Sequence, residues 1–194
     1  MRISVNLSSS QVLAPDLVGR LITAVRDAGV EPGDLELEIA ELDAMANFDR
    51  VVQISQALRD AEFKVALDDF GLGLAATEHI RALGVHTIKI DRSYLGGNPQ
   101  HGGSAAIVQY AIELAAILGI DVVAEGIETP SELQALKTLR CPLGQGFLFS
   151  RAVAADDLLR LLELDAAAGT DWWAGTAPGS TRRRRGSDTA VPVS

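Results

Sequence analysis

The chain has 194 residues, a formal net charge of −9 and a single cysteine, Cys141. One cysteine excludes an internal disulfide and suits a reducing compartment, so a cytoplasmic setting is expected, and the acidic balance argues against general affinity for nucleic acid. No run is long and apolar enough to span a bilayer, and the first residues carry no signal-peptide pattern.

From Arg2 to Leu7, the apolar residues Ile3, Val5 and Leu7 alternate with Arg2, Ser4 and Asn6, the period of a strand. A helix follows over Asp16 to Ala28, with Leu17, Leu21, Val25 and Ala28 on one face; Gly29 stops it and Pro32 lies beyond. Leu35 to Ile39 is the next strand, and Val51, Ile54, Leu58 and Ala61 mark the buried stripe of the next helix. Val65, Ala66 and Leu67 form a short buried strand that stops on Asp68 and Asp69. Side chains alternate along a strand, so Gly71 and Gly73 are expected to let the chain leave it there and bring both acids to one ligand.

A shorter helix over Ala75 to Leu83 leads to a strand at Thr87 to Asp91. The helix from Ser104 to Leu118 ends at Gly119 and feeds a strand within Asp121 to Gly126. Thr129-Pro130-Ser131-Glu132 is a capping box with proline at the first helical position, opening a helix to about Arg140. A last strand is predicted near Gln145 to Phe149, then a helix from Ala155 to about Leu164. From Gly169 onward the Pro, Gly, Ser and Thr content and the run Arg182 to Arg185 predict a disordered, solvated tail. The expected partition is a domain at 1–168 and a tail at 169–194.

Six strand–helix alternations imply a parallel sheet, either open or closed as a barrel. Asn6, Glu38, Asp68, Lys89, Glu125 and Gln145 all fall at or near the C-terminal end of a predicted strand. In a barrel every strand end feeds one site, whereas an open sheet concentrates its chemistry at a switch point. The expectation is therefore α/β, a (β/α)8 TIM-type barrel with about six of its eight units present. Adjacent acids at such a rim suit hard divalent cations.

The stretches Val5-Asn6-Leu7-Ser8, Leu37-Glu38-Ile39-Ala40-Glu41, Leu67-Asp68-Asp69-Phe70-Gly71, Ile88-Lys89-Ile90-Asp91, Val123-Ala124-Glu125-Gly126-Ile127-Glu128 and Gly144-Gln145-Gly146-Phe147 together resemble the EAL family of cyclic-di-GMP phosphodiesterases, over about Ile3 to Leu162. The resemblance implies Asn6, Glu38 and Asp68 as metal ligands and Asp69 as a ligand of a second Mg²⁺ or Mn²⁺ ion. It implies Lys89 as the residue that orients the attacking water, with Glu125 and Asp69 beside it in the catalytic network. Gln145 and Asp91 then lie at the substrate, while Glu41 pins the loop after Asp69 and Glu128 supports Glu125. The implied reaction is two-metal hydrolysis of cyclic-di-GMP to the linear form. A homodimer or an upstream sensory domain is the implied partner.

The sequence also departs from the family pattern. The strand carrying the Glu-Ala-Leu triplet, whose glutamate is a metal ligand, is absent, so the resemblance is to an N-terminally truncated domain. The loop reads Gly71-Leu72-Gly73-Leu74-Ala75-Ala76 where the family has hydroxyl and aromatic residues, and Ala40 stands where threonine is usual. Two readings follow: a phosphodiesterase, or a degenerate non-catalytic module that binds cyclic-di-GMP or a protein. An enolase-like enzyme with Lys89 as base leaves Asn6 unexplained. A kinase reading of Asp69-Phe70-Gly71 lacks the catalytic loop, and an esterase reading of His101-Gly102-Gly103 lacks the nucleophile elbow.

Overall fold

The computed structural model describes residues 2–72, 75–95, 104–168 and 191–192. Six parallel strands follow one another in chain order: β1 (Ile3–Leu7), β2 (Leu35–Ala40), β3 (Lys64–Phe70), β4 (Thr87–Ile90), β5 (Asp121–Ala124) and β6 (Leu143–Gly144). Between them lie α1 (Ser9–Val12), α2 (Leu17–Ala28), α3 (Glu41–Ala46), α4 (Phe48–Asp60), α5 (Thr77–Leu83), α6 (Ser104–Leu118) and α7 (Pro130–Thr138), with α8 (Ala155–Ala168) after β6. The architecture is α/β and the sheet is not closed. β1 is one edge, with Ile3 and Val5 exposed, and at the other edge β7 (Val191–Pro192) pairs antiparallel with β6.

Two-residue alternation sorts the strands into two faces. Leu37 and Ile39 of β2 and Ile88 and Ile90 of β4 are fully buried, and they join Val25, Val51, Leu58, Val108 and Leu114 of the helices in one core. Each such side chain contributes about 1.5–3 kcal/mol relative to exposure. The intervening residues, Glu36 and Glu38 on β2 and Thr87 and Lys89 on β4, are buried as well but polar. Apolar side chains therefore hold the helices on, and the opposite face is left for chemistry.

Local signals set the helix ends. Gly29 closes α2 with φ +67, and the Val30 N–H bonds back to Val25 O at 2.9 Å, a left-handed cap in which glycine meets no Cβ penalty. Thr129 and Glu132 form the predicted capping box of α7, behind Pro130.

Three expectations need correction. The strand after Lys64 runs through both acids to Phe70, and its pairing with β4 shifts between Leu67 and Phe70. The irregularity sits on Asp69 itself, with φ +54; it is a bulge, the other way a strand can re-aim consecutive side chains. Gly73 lies outside the described residues. The last strand is Leu143–Gly144, ahead of the stretch expected at Gln145 to Phe149, because a Cβ on Gly146 would lie 2.2 Å from the Ile127 backbone and the chain turns there against the β5 loop. The short helices α1 and α3, directly after β1 and β2, had no apolar period long enough to signal them. Of the expected tail, residues 169–190 and 193–194 lie outside the described residues.

Candidate metal centre

Two polar layers occupy the inner face. Near the strand N-termini, Glu36 accepts a hydrogen bond from Thr87 Oγ1 at 2.6 Å and lies 3.6 Å from the Arg2 guanidinium. Near the C-termini, Lys89 is 3 % exposed and places its ammonium 2.5 Å from Glu38 Oε1 and in an ion pair with Glu125 Oε1. Gln145 Nε2 donates to the same Glu125 oxygen at 2.7 Å. One carboxylate oxygen each from Glu38, Asp68 and Glu125 falls within 4.8 Å of the others.

The geometry follows from register. Glu38 pairs with Asn6 on one side and Ala66 on the other, so Asp68, two residues beyond Ala66, shares its face one step further up. Lys89 lies on β4 and Glu125 immediately follows the neighbouring strand β5, where its N–H bonds to Ile90 O at 3.1 Å.

Burial raises the Glu125 pKa to about 7, against the opposing pull of Lys89 and with help from the charges of Asp68 and Glu38. Burial also raises Asp68, with Lys89 again opposing, and raises Asp69, to which Asp68 and Asp91 add repulsion. Burial acts against the charge on Lys89, but Glu125 and Glu38 outweigh it and hold its pKa above the ordinary lysine value. Four acids around one lysine leave an excess of negative charge.

The loop after the acids is held by backbone bonds. Glu41, at the start of α3, is 1 % exposed and accepts from the N–H groups of Gly71 and Ala75, both at 3.0 Å. On the other side the Tyr94 hydroxyl donates to Gly71 O. Tyr94 stands on a short turn, Arg92–Tyr94, capped by the Asp91 carboxylate, which accepts from the Ser93 N–H at 2.9 Å.

Glu38, Asp68, Lys89, Glu125 and Gln145 thus converge. Asp69 and Asp91 line a neighbouring cleft of about 400 Å³ together with Glu125, Gln145 and Phe147. Asn6 is exposed on the edge strand, in register with Glu38. Glu128 stands on the cleft rim, half exposed and 3.7 Å from Arg92. Tyr94, Arg92 and Phe147 were not singled out by sequence reasoning. An aromatic three residues after a strand-end acid, or after a glutamine between glycines, is common in ordinary turns and gives no periodic signal.

The donor set fits a hard divalent cation. Glu38 Oε1 is buried against the Lys89 ammonium, which also pairs with Glu125, so three carboxylates with oxygens within 4.8 Å of one another share that single cationic side chain. Carboxylate oxygens gathered this closely can be bridged by a hard cation. Oxygen-only ligation suits Mg²⁺, Mn²⁺ or Ca²⁺ over softer metals.

The EAL domain family model matches residues 1–152. Cyclic di-GMP phosphodiesterase NbdA of Pseudomonas aeruginosa is 35% identical over 170 residues, 86% of this chain and 22% of that protein. Among solved structures, the PaMucR phosphodiesterase in complex with c-di-GMP has a TM-score of 0.76 at 33% identity, covering 81% of this chain and 70% of that one. Klebsiella pneumoniae BlrP1 with manganese and cyclic di-GMP has a TM-score of 0.70 at 35% identity, covering 77% and 38%. The chain spans between about a fifth and a third of the curated relatives it matches.

Proposed function

The chain belongs to the EAL domain family, and from that premise we propose that it takes part in metal-dependent hydrolysis of cyclic-di-GMP to the linear dinucleotide, in the cytoplasm. The observation that carries the reading is the meeting of Glu38, Asp68 and Glu125 around buried Lys89. Glu38, Asp68 and Glu125 would hold one Mg²⁺ or Mn²⁺ ion, with Asn6 and Asp69 as further oxygen donors, Asp69 towards a second ion. Such ions supply Lewis acidity toward a phosphoryl oxygen and lower the pKa of water.

The remaining roles belong to the chain. Lys89 keeps Glu38 and Glu125 aimed inward and presents an ammonium where negative charge grows in phosphoester cleavage. Gln145 fixes the orientation of Glu125. Glu41 holds the backbone that aims Asp68 and Asp69. Asp91 faces the same cleft beside Gln145, where the substrate would lie, and Glu128 with Arg92 bounds it. We take residues 1–168 as the domain carrying this site. A homodimer or an upstream sensory domain is the expected partner, in keeping with the greater length of the relatives.

A second reading rests on Asn6, exposed on a strand whose outer edge has no partner among the described residues. On this reading the chain binds cyclic-di-GMP or a protein without turnover. The test is incubation of the full chain with cyclic-di-GMP and Mn²⁺ or Mg²⁺, following linear product by chromatography. Product formation lost on Lys89→Ala supports hydrolysis; binding without product supports the second reading.

A further inference from the structure

β1 is open along one edge and on both faces. It pairs in unbroken register with β2, and its outer edge has no partner among the described residues. Residues 3–6 are all exposed, Ile3 at 46% and Val5 at 42%. An exposed edge is normally blunted by a lysine, a proline or a bulge, and Ile3-Ser4-Val5-Asn6-Leu7 has none of these. Beside it, between the helix side of β1 and α2, runs a groove of about 590 Å³ with Val5, Leu17 and Leu21 as its apolar lining. The α2 wall of that groove presents Arg20, Thr23, Ala24 and Asp27, all exposed, at the three- and four-residue spacing of one helix face.

We propose that this edge and groove form a self-association surface, taking β1 and α2 of a second copy of this chain about a two-fold axis at Val5. Edge strands related in this way run antiparallel and keep each face of the sheet continuous. The pairing sets Val5 against Val5 of the partner subunit, Ile3 against Leu7 of the partner subunit, and Ser4 against Asn6 of the partner subunit. Apolar residues then meet apolar ones on the helix side and polar meet polar on the other, the match that fixes register. No residue from Ile3 to Leu7 is charged, so the net charge of −9 brings no like charges together in the ladder. The same axis runs α2 antiparallel to its copy. Thr23 and Ala24, small side chains at the middle of the exposed stripe, let the helices approach over the seam, and Arg20 meets Asp27 of the partner subunit on either side. A strand of an unrelated chain would satisfy the backbone edge but has no reason to match both this register and these charges. Neither the edge nor the groove uses the Glu38–Asp68–Glu125 cluster, so the pairing is independent of turnover.

The experiment is light scattering and sedimentation of the full chain over a dilution series, beside Val5→Lys, Arg20→Asp and the double variant Arg20→Asp with Asp27→Arg, with a thermal melt of each. The wild type should form a concentration-dependent dimer. Val5→Lys opposes two ammonium groups at the axis and should weaken it about a hundredfold; Arg20→Asp, which opposes acids on an exposed helix face, should weaken it about tenfold. The double variant should recover wild-type association, since the swap rebuilds each pair only when two copies of α2 face one another. Val5→Cys should cross-link to itself under diamide, because opposed residues of an antiparallel pair lie about 4.5–5.5 Å apart, within disulfide range. Leu42→Cys, exposed on α3 away from the edge, should not. A monomer at every concentration overturns the second copy as occupant. A dimer of equal affinity in Val5→Lys and Arg20→Asp, without the Val5→Cys cross-link, overturns this edge as its surface. Oligomers that keep growing with concentration overturn the closed two-fold pairing.

Discussion

Glu41 reaches across 30 positions of sequence to take the Gly71 N–H at 3.0 Å, and its second oxygen takes the Ala75 N–H at the same distance. A carboxylate on the first turn of α3 therefore holds the backbone that leaves the Asp68–Asp69 strand end. Glu41→Ala leaves two amides without that acceptor, and a bond to a charged partner contributes about 1.5–3 kcal/mol. Expected is a loss of about 3 kcal/mol in urea unfolding, with faster hydrogen exchange at Gly71 and Ala75. Unchanged exchange at those two amides would show that other contacts hold the loop.

Tyr94 closes the opposite side of the same residue through Gly71 O. Tyr94→Phe removes the hydroxyl and keeps the ring that packs on Gly71. The expected cost is about 1 kcal/mol, typical of one neutral hydrogen bond, with Mn²⁺ affinity lowered because the loop next to Asp69 loosens. A melt and a Mn²⁺ titration of the same sample separate the two effects.

Lys89 is the counter-ion of a buried acid cluster. Lys89→Met leaves Glu38 and Glu125 facing each other without it, and stripping one partner from a buried pair costs about 3–5 kcal/mol. Added Mn²⁺ should recover part of that loss, because a cation at the cluster restores the charge balance, while hydrolysis should stay absent. Equal melting temperatures for mutant and wild type in chelator would contradict the ion-pair account.

The Glu125 carboxyl has a folded pKa of about 7 against an ordinary value of 4.5. Between those values the folded state binds more protons than the unfolded one, so stability falls as pH rises and levels off above about 7. Asp68 and Asp69, both raised by burial, act in the same direction. His86, lowered by burial and by the charges of Lys64, Arg59 and Arg2, acts in the opposite direction up to its ordinary 6.5. In chelator, Glu125→Gln should flatten the fall between pH 4.5 and 7. Superimposable profiles for mutant and wild type would rule the Glu125 contribution out.

Cys141 is fully buried, and burial pushes its thiol up to about 11. Thiolate is the reactive form, so modification by a disulfide reagent at pH 8 should be slow in the folded chain and fast in denaturant. Rapid labelling of the native protein would mean that β6 opens readily.

The bounds of α6 and the capping box of α7 were legible because both signals are local: an apolar period of 3.6 and a Thr-Pro-x-Glu start. The strand-end positions of Glu38, Asp68, Lys89 and Glu125 were legible for the same reason, since each follows an apolar strand run. The placement of β6 was not, because the turn of the chain at Gly146 depends on Ile127, nineteen residues earlier in sequence and contacted only after folding. Nor was the bulge at Asp69, whose pairing shift involves β4.

By itself the sequence determined the α/β alternation, the strand order's parallel character and the acids that end the strands, since period, caps and side-chain type act within a few residues. Only the tertiary structure decided that Lys89 sits between Glu38 and Glu125, that Glu41 and Tyr94 grip Gly71 from two sides, and that Phe147 faces a cleft. Those relationships join residues far apart along the chain, and register and packing across the sheet, to which no local pattern is sensitive, bring them together.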